Sequence, residues 1–300
     1  MRWVIVTGMY NLADLAMEFC AYHLELGVDR IFVAEYGSTD GTLDLLRPFV
    51  RARQVEIVPI PTHHFATYDP SNVILAAIRS EGTADWVSFQ DPDEFLTGPD
   101  NLKDYFAEEC SCGVQATAIP RANLTGIGPI PPATHYLQHL TLKIIERDTR
   151  VSDPSAPLSS PWIFSRLPPK VAINAANTLT PTPGDHSIVG SPALLRSDPC
   201  CELLHLPIRG YEAFQRKMEC AIGYYANNPE FKLGTGWHWR RWMALYEEGR
   251  LPEEHAQQFL DPSKAEALLA EGRIVRETRL ADWFEHAEQT KNANHSVTGD

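Results

Sequence analysis

The chain has few cysteines, no excess of basic charge and no long apolar run. Its six cysteines lack the paired spacing of a zinc ribbon and are too few for a disulfide scaffold, so free thiols are expected. A net charge of −13 disfavours a nucleic-acid partner, because such binding needs basic side chains that neutralise phosphates. No apolar run approaches the roughly 20 residues of a membrane span. Because the first strand starts at residue 3, too early for a signal peptide, we predict a cytoplasmic protein without an integral membrane segment.

The first 90 residues alternate between short apolar runs and amphipathic segments. This order predicts an α/β fold whose central sheet is mostly parallel and flanked by helices, with ligands at the carboxyl ends of the strands. His23, on the first helix, is expected to be a core histidine. The predicted strands are residues 3–7, 28–35, 55–60 and 86–89. A helix is predicted at 42–50, between the second and third strands, and another at 72–80, between the third and fourth.

The rest of the chain has a different pattern. From Cys112 to about Pro207 the sequence has many prolines, short apolar runs and loops, and after Tyr211 it becomes amphipathic with helical spacing. We therefore predict a helical C-terminal extension. Its predicted helices are residues 213–226, 237–249, 262–271 and 280–290.

The strongest local signal is Asp91-Pro92-Asp93, where the fourth predicted strand ends. Carboxylates two residues apart on an extended chain point to the same side, and two such charges repel unless a cation lies between them. A hard divalent cation, Mn²⁺ or Mg²⁺, that bridges to a diphosphate would satisfy both. The alternative is a solvated acidic turn.

Two blocks resemble glycosyltransferase family 2. The segment Asn11–Thr42, NLADLAMEFCAYHLELGVDRIFVAEYGSTDGT, is similar to the opening of such enzymes, and DWVSFQDPDEF over 85–95 resembles their Trp-x-x-Phe-x-Asp-x-Asp-Glu-Phe block. The chain departs from the pattern at Leu12, Phe19 and Tyr36, and the last of these puts the contacts to the donor base in question. The resemblance implies a Rossmann-like fold of the GT-A type.

The same resemblance implies how the chain is divided. Residues 1–110 would form the nucleotide-sugar-binding half of the GT-A domain, 111–215 its acceptor-side half, and 216–300 the helical extension. Asp40 has an alternative role as a turn residue bonded to its own backbone. The donor-binding residues expected from this assignment are Thr7, Asn11, Glu35, Asp40, Asp91 and Lys217.

Further candidates lie in the second half of the chain. His205 would complete the metal shell with Asp91 and Asp93, and Arg209 would act in catalysis by stabilising the departing diphosphate, with Lys217 also near it. His186 is the alternative metal ligand. The catalytic base that takes the acceptor proton would be Asp185, with Asp153 as a rival.

Together these features predict a metal-dependent glycosyltransferase that moves a sugar from a nucleotide-sugar donor, most simply a UDP-sugar, to a glycan or other hydroxyl acceptor. A metal-dependent nucleotidyltransferase is the alternative enzyme, and it would release pyrophosphate. A non-catalytic module that binds nucleotide sugars or glycans is the alternative without an enzymatic activity. The sequence predicts no nucleic-acid partner.

Overall fold

A computed structural model describes residues 1–61, 70–147, 161–190, 192–197, 199–226 and 237–297. The described residues form two compact units, residues 1–121 with 167–205, and residues 122–166 with 206–300. The division of the chain by function into three consecutive segments stays a prediction. No helix in the described parts of the chain is both long and apolar enough to span a bilayer. All six cysteines are free thiols, as expected.

The first unit contains an α/β sheet that begins with the predicted alternation of strands and helices. The elements, in chain order, are β1 (Trp3–Met9), α1 (Ala16–Glu25), β2 (Arg30–Glu35), α2 (Thr42–Arg51), β3 (Val55–Pro59), α3 (Pro70–Glu81), β4 (Trp86–Phe89), β5 (Glu94–Thr97), α4 (Leu102–Ser111) and β6 (Ala116–Ile119). Most of these elements end at a Gly-, Pro- or Asp-containing turn, whereas α2 is followed by Ala52 and by Arg53, which has a positive φ of 59°.

The remaining elements alternate between the two units. The strand β7 (Arg121–Thr125) starts at the last residue of the first unit's opening segment, and two 3-10 turns lie at Trp162–Phe164 and Pro192–Leu194. The other elements are α5 (Tyr136–His139), β8 (Leu142–Ile144), β9 (Lys170–Asn174), β10 (Leu195–Arg196), β11 (Glu202–His205), α6 (Tyr211–Ala226), α7 (Trp237–Glu247), α8 (Leu251–Gln257), α9 (Pro262–Ala270), β12 (Ile274–Arg276) and α10 (Arg279–Val297).

The central sheet of the first unit has seven strands in the order β10-β6-β9-β4-β1-β2-β3. The strands β4, β1, β2 and β3 are mutually parallel, whereas β9 runs antiparallel to both of its neighbours. Helix α3 packs Ile74 and Ile78 into the core of one face, and Phe106 of α4 stacks near Trp3 and Trp86 on the other. The predicted α/β class, with a mostly parallel sheet between helices, is confirmed.

The second unit has a smaller sheet and most of the helices. Strand β8 pairs antiparallel with β7 and with β12. The predicted C-terminal helices are confirmed as α6, α7, α9 and α10, with α8 as an additional helix. An apolar core holds Leu142, Ile163 and Ile274 with Leu268 of α9.

Candidate functional site

The turn between β4 and β5 carries the two aspartates and is attached to α1 by His23. The ring of His23 is fully buried, and its Nδ1 lies 2.8 Å from the carbonyl oxygen of Phe19, so Nδ1 carries the proton. Its Nε2 therefore accepts, from the side-chain amide of Gln90 at 2.9 Å and from the N–H of Leu96 at 3.3 Å. Burial lowers the pKa of His23 to about 3. The expected core role of this histidine is confirmed, and it fixes both ends of the aspartate turn.

Two buried cations reach the turn from outside it. The ammonium of Lys170 donates to Asp91 Oδ1 at 2.8 Å, and Arg121 Nη1 donates to Glu94 Oε1 at 2.6 Å and lies 3.8 Å from Asp91 Oδ2. The N–H of Asp91 donates to Glu94 Oε2 at 2.9 Å. The side chains of Lys170, Arg121 and Glu94 are almost completely buried, whereas the Asp91 side chain is 49% exposed. Asp91 is thus the part of this ion cluster that solvent or a ligand reaches.

The strand register explains why Lys170 is here. Strand β9 pairs with β4 so that Ser88 faces Ala172, and extending that register by two residues brings Lys170 level with Gln90, beside Asp91. The protein around Asp91 removes part of its solvation and would raise its pKa, but the positive charges of Lys170 and Arg121 outweigh this and hold that pKa below its usual value. Burial and the neighbouring Asp91 raise the pKa of Glu94.

Asp93 and His205 form the other side of the turn. Strands β5 and β11 pair antiparallel with Glu94 opposite His205, which brings the imidazole beside Asp93. His205 Nε2 lies 3.6 Å from Asp93 Oδ1, and both side chains are buried. This separation is too long for a hydrogen bond. Two ligand atoms that each bind one ion at about 2.1 Å can be at most about 4.2 Å apart, so the spacing of Asp93 Oδ1 and His205 Nε2 fits a shared cation.

The structure therefore brings together two of the three predicted metal ligands. Asp93 and His205 are adjacent, whereas Asp91 is directed to Lys170 and Arg121. In the part of the chain that the structure describes, no three His, Cys, Asp or Glu side chains form a group that could hold a metal ion. A cation at Asp93 would need its remaining ligands from Asp91 after a rearrangement, from water or from a diphosphate.

The segment 181–188 carries the predicted general base. Gly184 and Asp185 both have positive φ, 81° and 60°, in a turn where the N–H of Asp185 donates to the carbonyl oxygen of Thr182 at 2.8 Å. Ser71 Oγ donates to Asp185 Oδ2 at 3.1 Å. His186 Nδ1 lies 2.9 Å from the carbonyl oxygen of Pro169, so it donates to that oxygen and is held at the start of β9. Asp153, the alternative candidate for the general base, lies outside the described residues.

Four of the predicted donor-binding residues, Thr7, Asn11, Glu35 and Asp40, lie in or just after the carboxyl ends of β1 and β2. Glu35 accepts from the N–H groups of Gly37 and Ser38, at 2.9 and 2.5 Å. Asn11, with a φ of 51°, donates its N–H to Ser38 Oγ and accepts from the N–H of Thr39. Among the described residues, the buried hydroxyl of Thr7 has no hydrogen-bond partner.

Asp40 makes the hydrogen bonds expected of a turn residue, which was the alternative to its predicted donor-binding role. Its Oδ1 accepts from the N–H and the hydroxyl of Thr42, and its Oδ2 accepts from the N–H of Ala13. These bonds lower the pKa of Asp40 although burial opposes them. They join the start of α2 to the segment before α1, and contacts of Asp40 with a nucleoside stay a prediction.

Arg209 and Lys217 belong to the second unit. Arg209 is buried, donates to the carbonyl oxygen of Leu206 at 3.2 Å and lies over the ring of Tyr136 at 6.0 Å. The ammonium of Lys217 lies 5.3 Å from the centre of the Trp239 ring. Their predicted contacts with a departing diphosphate stay predictions.

Sequence comparison identifies the class of enzyme. The family model of glycosyltransferase family 92 matches residues 6–112, from β1 to the end of α4, and this range includes Asp91 and Asp93. The match confirms the prediction of a glycosyltransferase. It is to family 92, whereas the motifs resemble family 2, and the family 2 assignment stays a prediction. No curated protein matches the chain.

Solved glycosyltransferase structures show a weaker likeness. TarS 1–349 of S. aureus in complex with UDP-GlcNAc is 16% identical with a TM-score of 0.46, and the match covers 85% of this chain and 71% of that one. The mannosyltransferase PcManGT of Pyrobaculum calidifontis in complex with GDP-Man and Mn²⁺ is 16% identical with a TM-score of 0.39, over 99% and 81%. This chain spans 43% of a longer TarS chain, which is 16% identical with a TM-score of 0.42 over 83% of this chain.

Proposed function

We propose that this glycosyltransferase has a GT-A fold and uses a divalent cation and a nucleotide-sugar donor, most simply a UDP-sugar, to glycosylate a hydroxyl acceptor. The pair Asp93–His205 is the observation that supports the cation, because its 3.6 Å spacing fits two ligands of one ion. A carboxylate with a neutral imidazole is a donor set that suits Mn²⁺.

The residues of the chain have separate tasks in this proposal. Asp93 and His205 hold the cation, which supplies positive charge to the diphosphate as the nucleotide leaves. Asp91, the exposed member of the ion cluster, faces the donor. Asp185 takes the proton of the acceptor hydroxyl, since an inverting transfer needs one base in reach of that proton.

Donor turnover tests the proposal directly. UDP-GlcNAc, GDP-mannose and other nucleotide sugars would be incubated with and without Mn²⁺, and the released product identified. A nucleoside diphosphate supports glycosyl transfer or hydrolysis, whereas pyrophosphate released from a nucleoside triphosphate would indicate a nucleotidyltransferase. Binding of a nucleotide sugar without any turnover, in the presence of an acceptor panel, would indicate a non-catalytic module.

The role of Asp93 has a matched control in the same segment. Asp93→Asn should weaken Mn²⁺-dependent binding of UDP or GDP at least about 100-fold, since losing even a residue that only orients a metal ligand costs roughly 10–100-fold. Asp100→Asn changes an exposed aspartate seven residues later and should leave this affinity unchanged. Isothermal titration with and without Mn²⁺ measures both. Equal affinities for the two variants would remove Asp93 from the cation site.

A further inference from the structure

Lys170 has an unusual position for a lysine. It is the first residue of β9, it is almost completely buried, and it was not among the residues that the sequence motifs indicated. A buried ammonium is costly unless it is paired and hydrogen-bonded. Its partners therefore show what the residue does.

Those partners belong to two different parts of the site. The ammonium donates to Asp91 Oδ1 at 2.8 Å and to the carbonyl oxygen of Gly184 at 3.0 Å. The first contact lies in the aspartate turn between β4 and β5, and the second lies in the turn that carries Asp185. The negative charges of Asp91, Glu94 and Asp185 raise the pKa of Lys170 although burial opposes them, so the group stays charged.

The turn at 182–185 depends on a few hydrogen bonds. The N–H of Thr182 donates to the carbonyl oxygen of Ser187 at 2.9 Å, and the N–H of Asp185 donates to that of Thr182 at 2.8 Å. Asp185 is a non-glycine residue at a φ of 60°, a conformation that costs energy and persists only when its surroundings hold it. The bond from Lys170 to Gly184 is one of the contacts that hold it.

We propose that Lys170 is a positioning residue that joins the donor-side carboxylate of Asp91 to the turn that carries Asp185. Its positive charge beside Asp91 weakens the binding of a divalent cation at the neighbouring Asp93–His205 pair, and it orders the turn through Gly184. This inference rests on the proposed function, since it gives the two turns their donor and acceptor roles.

Lys170→Met tests both halves of the proposal without a substrate. Removing one positive charge beside Asp91 should strengthen Mn²⁺ binding on the order of tenfold, measured by electron paramagnetic resonance with the metal alone. The amides of Thr182 and Asp185 should exchange with deuterium at least about tenfold faster, measured by mass spectrometry, because their turn loses a tether. A merely structural lysine would weaken metal binding when removed.

Two further variants keep the test decisive. Asp91→Asn should leave the exchange of the turn unchanged, because Lys170 still donates to Gly184. If Lys170→Met does not fold, Lys170→Met with Asp91→Asn removes the cation together with its partner, and the turn should still exchange faster. Lys143→Met, which removes a partly buried lysine paired with Glu277 in the second unit, is the control and should change neither measurement.

The outcomes separate cleanly. Tighter Mn²⁺ binding together with faster exchange in Lys170→Met supports the proposal. Unchanged exchange of the 182–185 turn, or Mn²⁺ binding that is unchanged or weaker, overturns it. A protein that binds Mn²⁺ and shows these effects but turns over no nucleotide sugar would contradict the proposed function and leave the structural link of Lys170 in place.

Discussion

Two turns at the carboxyl ends of strands in one sheet hold their carboxylates by different means. After β2, Glu35 and Asp40 accept from backbone N–H groups and from one hydroxyl of nearby residues. After β4, Asp91 and Glu94 face the side chains of Lys170 and Arg121. A carboxylate that accepts hydrogen bonds from the backbone stabilises its loop. A carboxylate that is paired with lysine or arginine can release that side chain and bind a ligand instead.

The difference has an energetic side as well. Hydrogen bonds from the backbone satisfy a carboxylate where it forms, so the turn after β2 needs little from the rest of the chain. The turn after β4 needs Lys170 and Arg121, which lie on strands about 30 to 80 residues further along the chain. We therefore expect the second turn to be more sensitive to substitution than the first.

The largest expected effect is the loss of the buried cation Arg121. Arg121→Met leaves Glu94 buried without its partner and should lower the free energy of unfolding by about 3–5 kcal/mol. Arg30→Met, which removes a partly exposed pair with Glu56 between β2 and β3, should cost about 0–1 kcal/mol. Urea denaturation of both variants measures the difference. Similar losses for the two would mean that the cluster after β4 is no more than a surface ion pair.

The next effect concerns the two histidines near the turn. His205→Ala should weaken Mn²⁺ binding at saturating UDP by on the order of 100-fold, because it removes a proposed ligand. His186→Ala should leave that affinity within about threefold, because His205 is the histidine beside Asp93, whereas His186 is held at the start of β9 by the carbonyl oxygen of Pro169. If only His186→Ala weakens the metal, the two histidines exchange roles.

A third effect comes from the neutral ring that anchors the turn after β4. The pKa of His23 is about 3 in the folded protein and about 6.5 when unfolded, so between these values only the unfolded state binds the proton. The stability of the fold therefore decreases as the pH falls below 6.5. Between pH 7.5 and 5.5 this single group should lower the free energy of unfolding by about 1.4 kcal/mol.

His23→Gln isolates that contribution. Urea titrations at pH 7.5 and 5.5 should show a pH-dependent loss about 1.4 kcal/mol smaller in this variant than in the unmodified protein. His286→Gln, which changes an exposed histidine of α10, is the matched control. An unchanged pH dependence in His23→Gln would show that the ring is not held neutral in the fold.

The sequence predicted the elements whose pattern is local. The alternation of apolar runs gave β1 to β4 and their helices, and the position of Asp91 and Asp93 after β4 followed from the end of one run. The partners of these aspartates did not follow. Lys170 begins an apolar run, KVAIN, in a proline-rich stretch, and nothing local shows that this run pairs antiparallel beside β4. A lysine at the edge of an otherwise apolar strand was the signal available.

The smallest effect decides whether the turn after β2 is only structural. Asp40→Ala removes the acceptor for the N–H groups of Thr42 and Ala13 and should cost about 1 kcal/mol of unfolding free energy, the usual net contribution of a hydrogen bond. The control Asp44→Ala, on the exposed side of α2, should lower the free energy of unfolding by only a few tenths of a kcal/mol, roughly the value of a surface ion pair.

Because the bonds of Asp40 are already made within its loop, we expect the affinity of Asp40→Ala for UDP with Mn²⁺ to change less than about threefold. A carboxylate oxygen keeps a second lone pair, however, and a ribose hydroxyl could donate to it. A tenfold loss of UDP affinity in Asp40→Ala, beside an unchanged affinity in Asp44→Ala, would therefore assign Asp40 its predicted donor-binding role and make both turns functional.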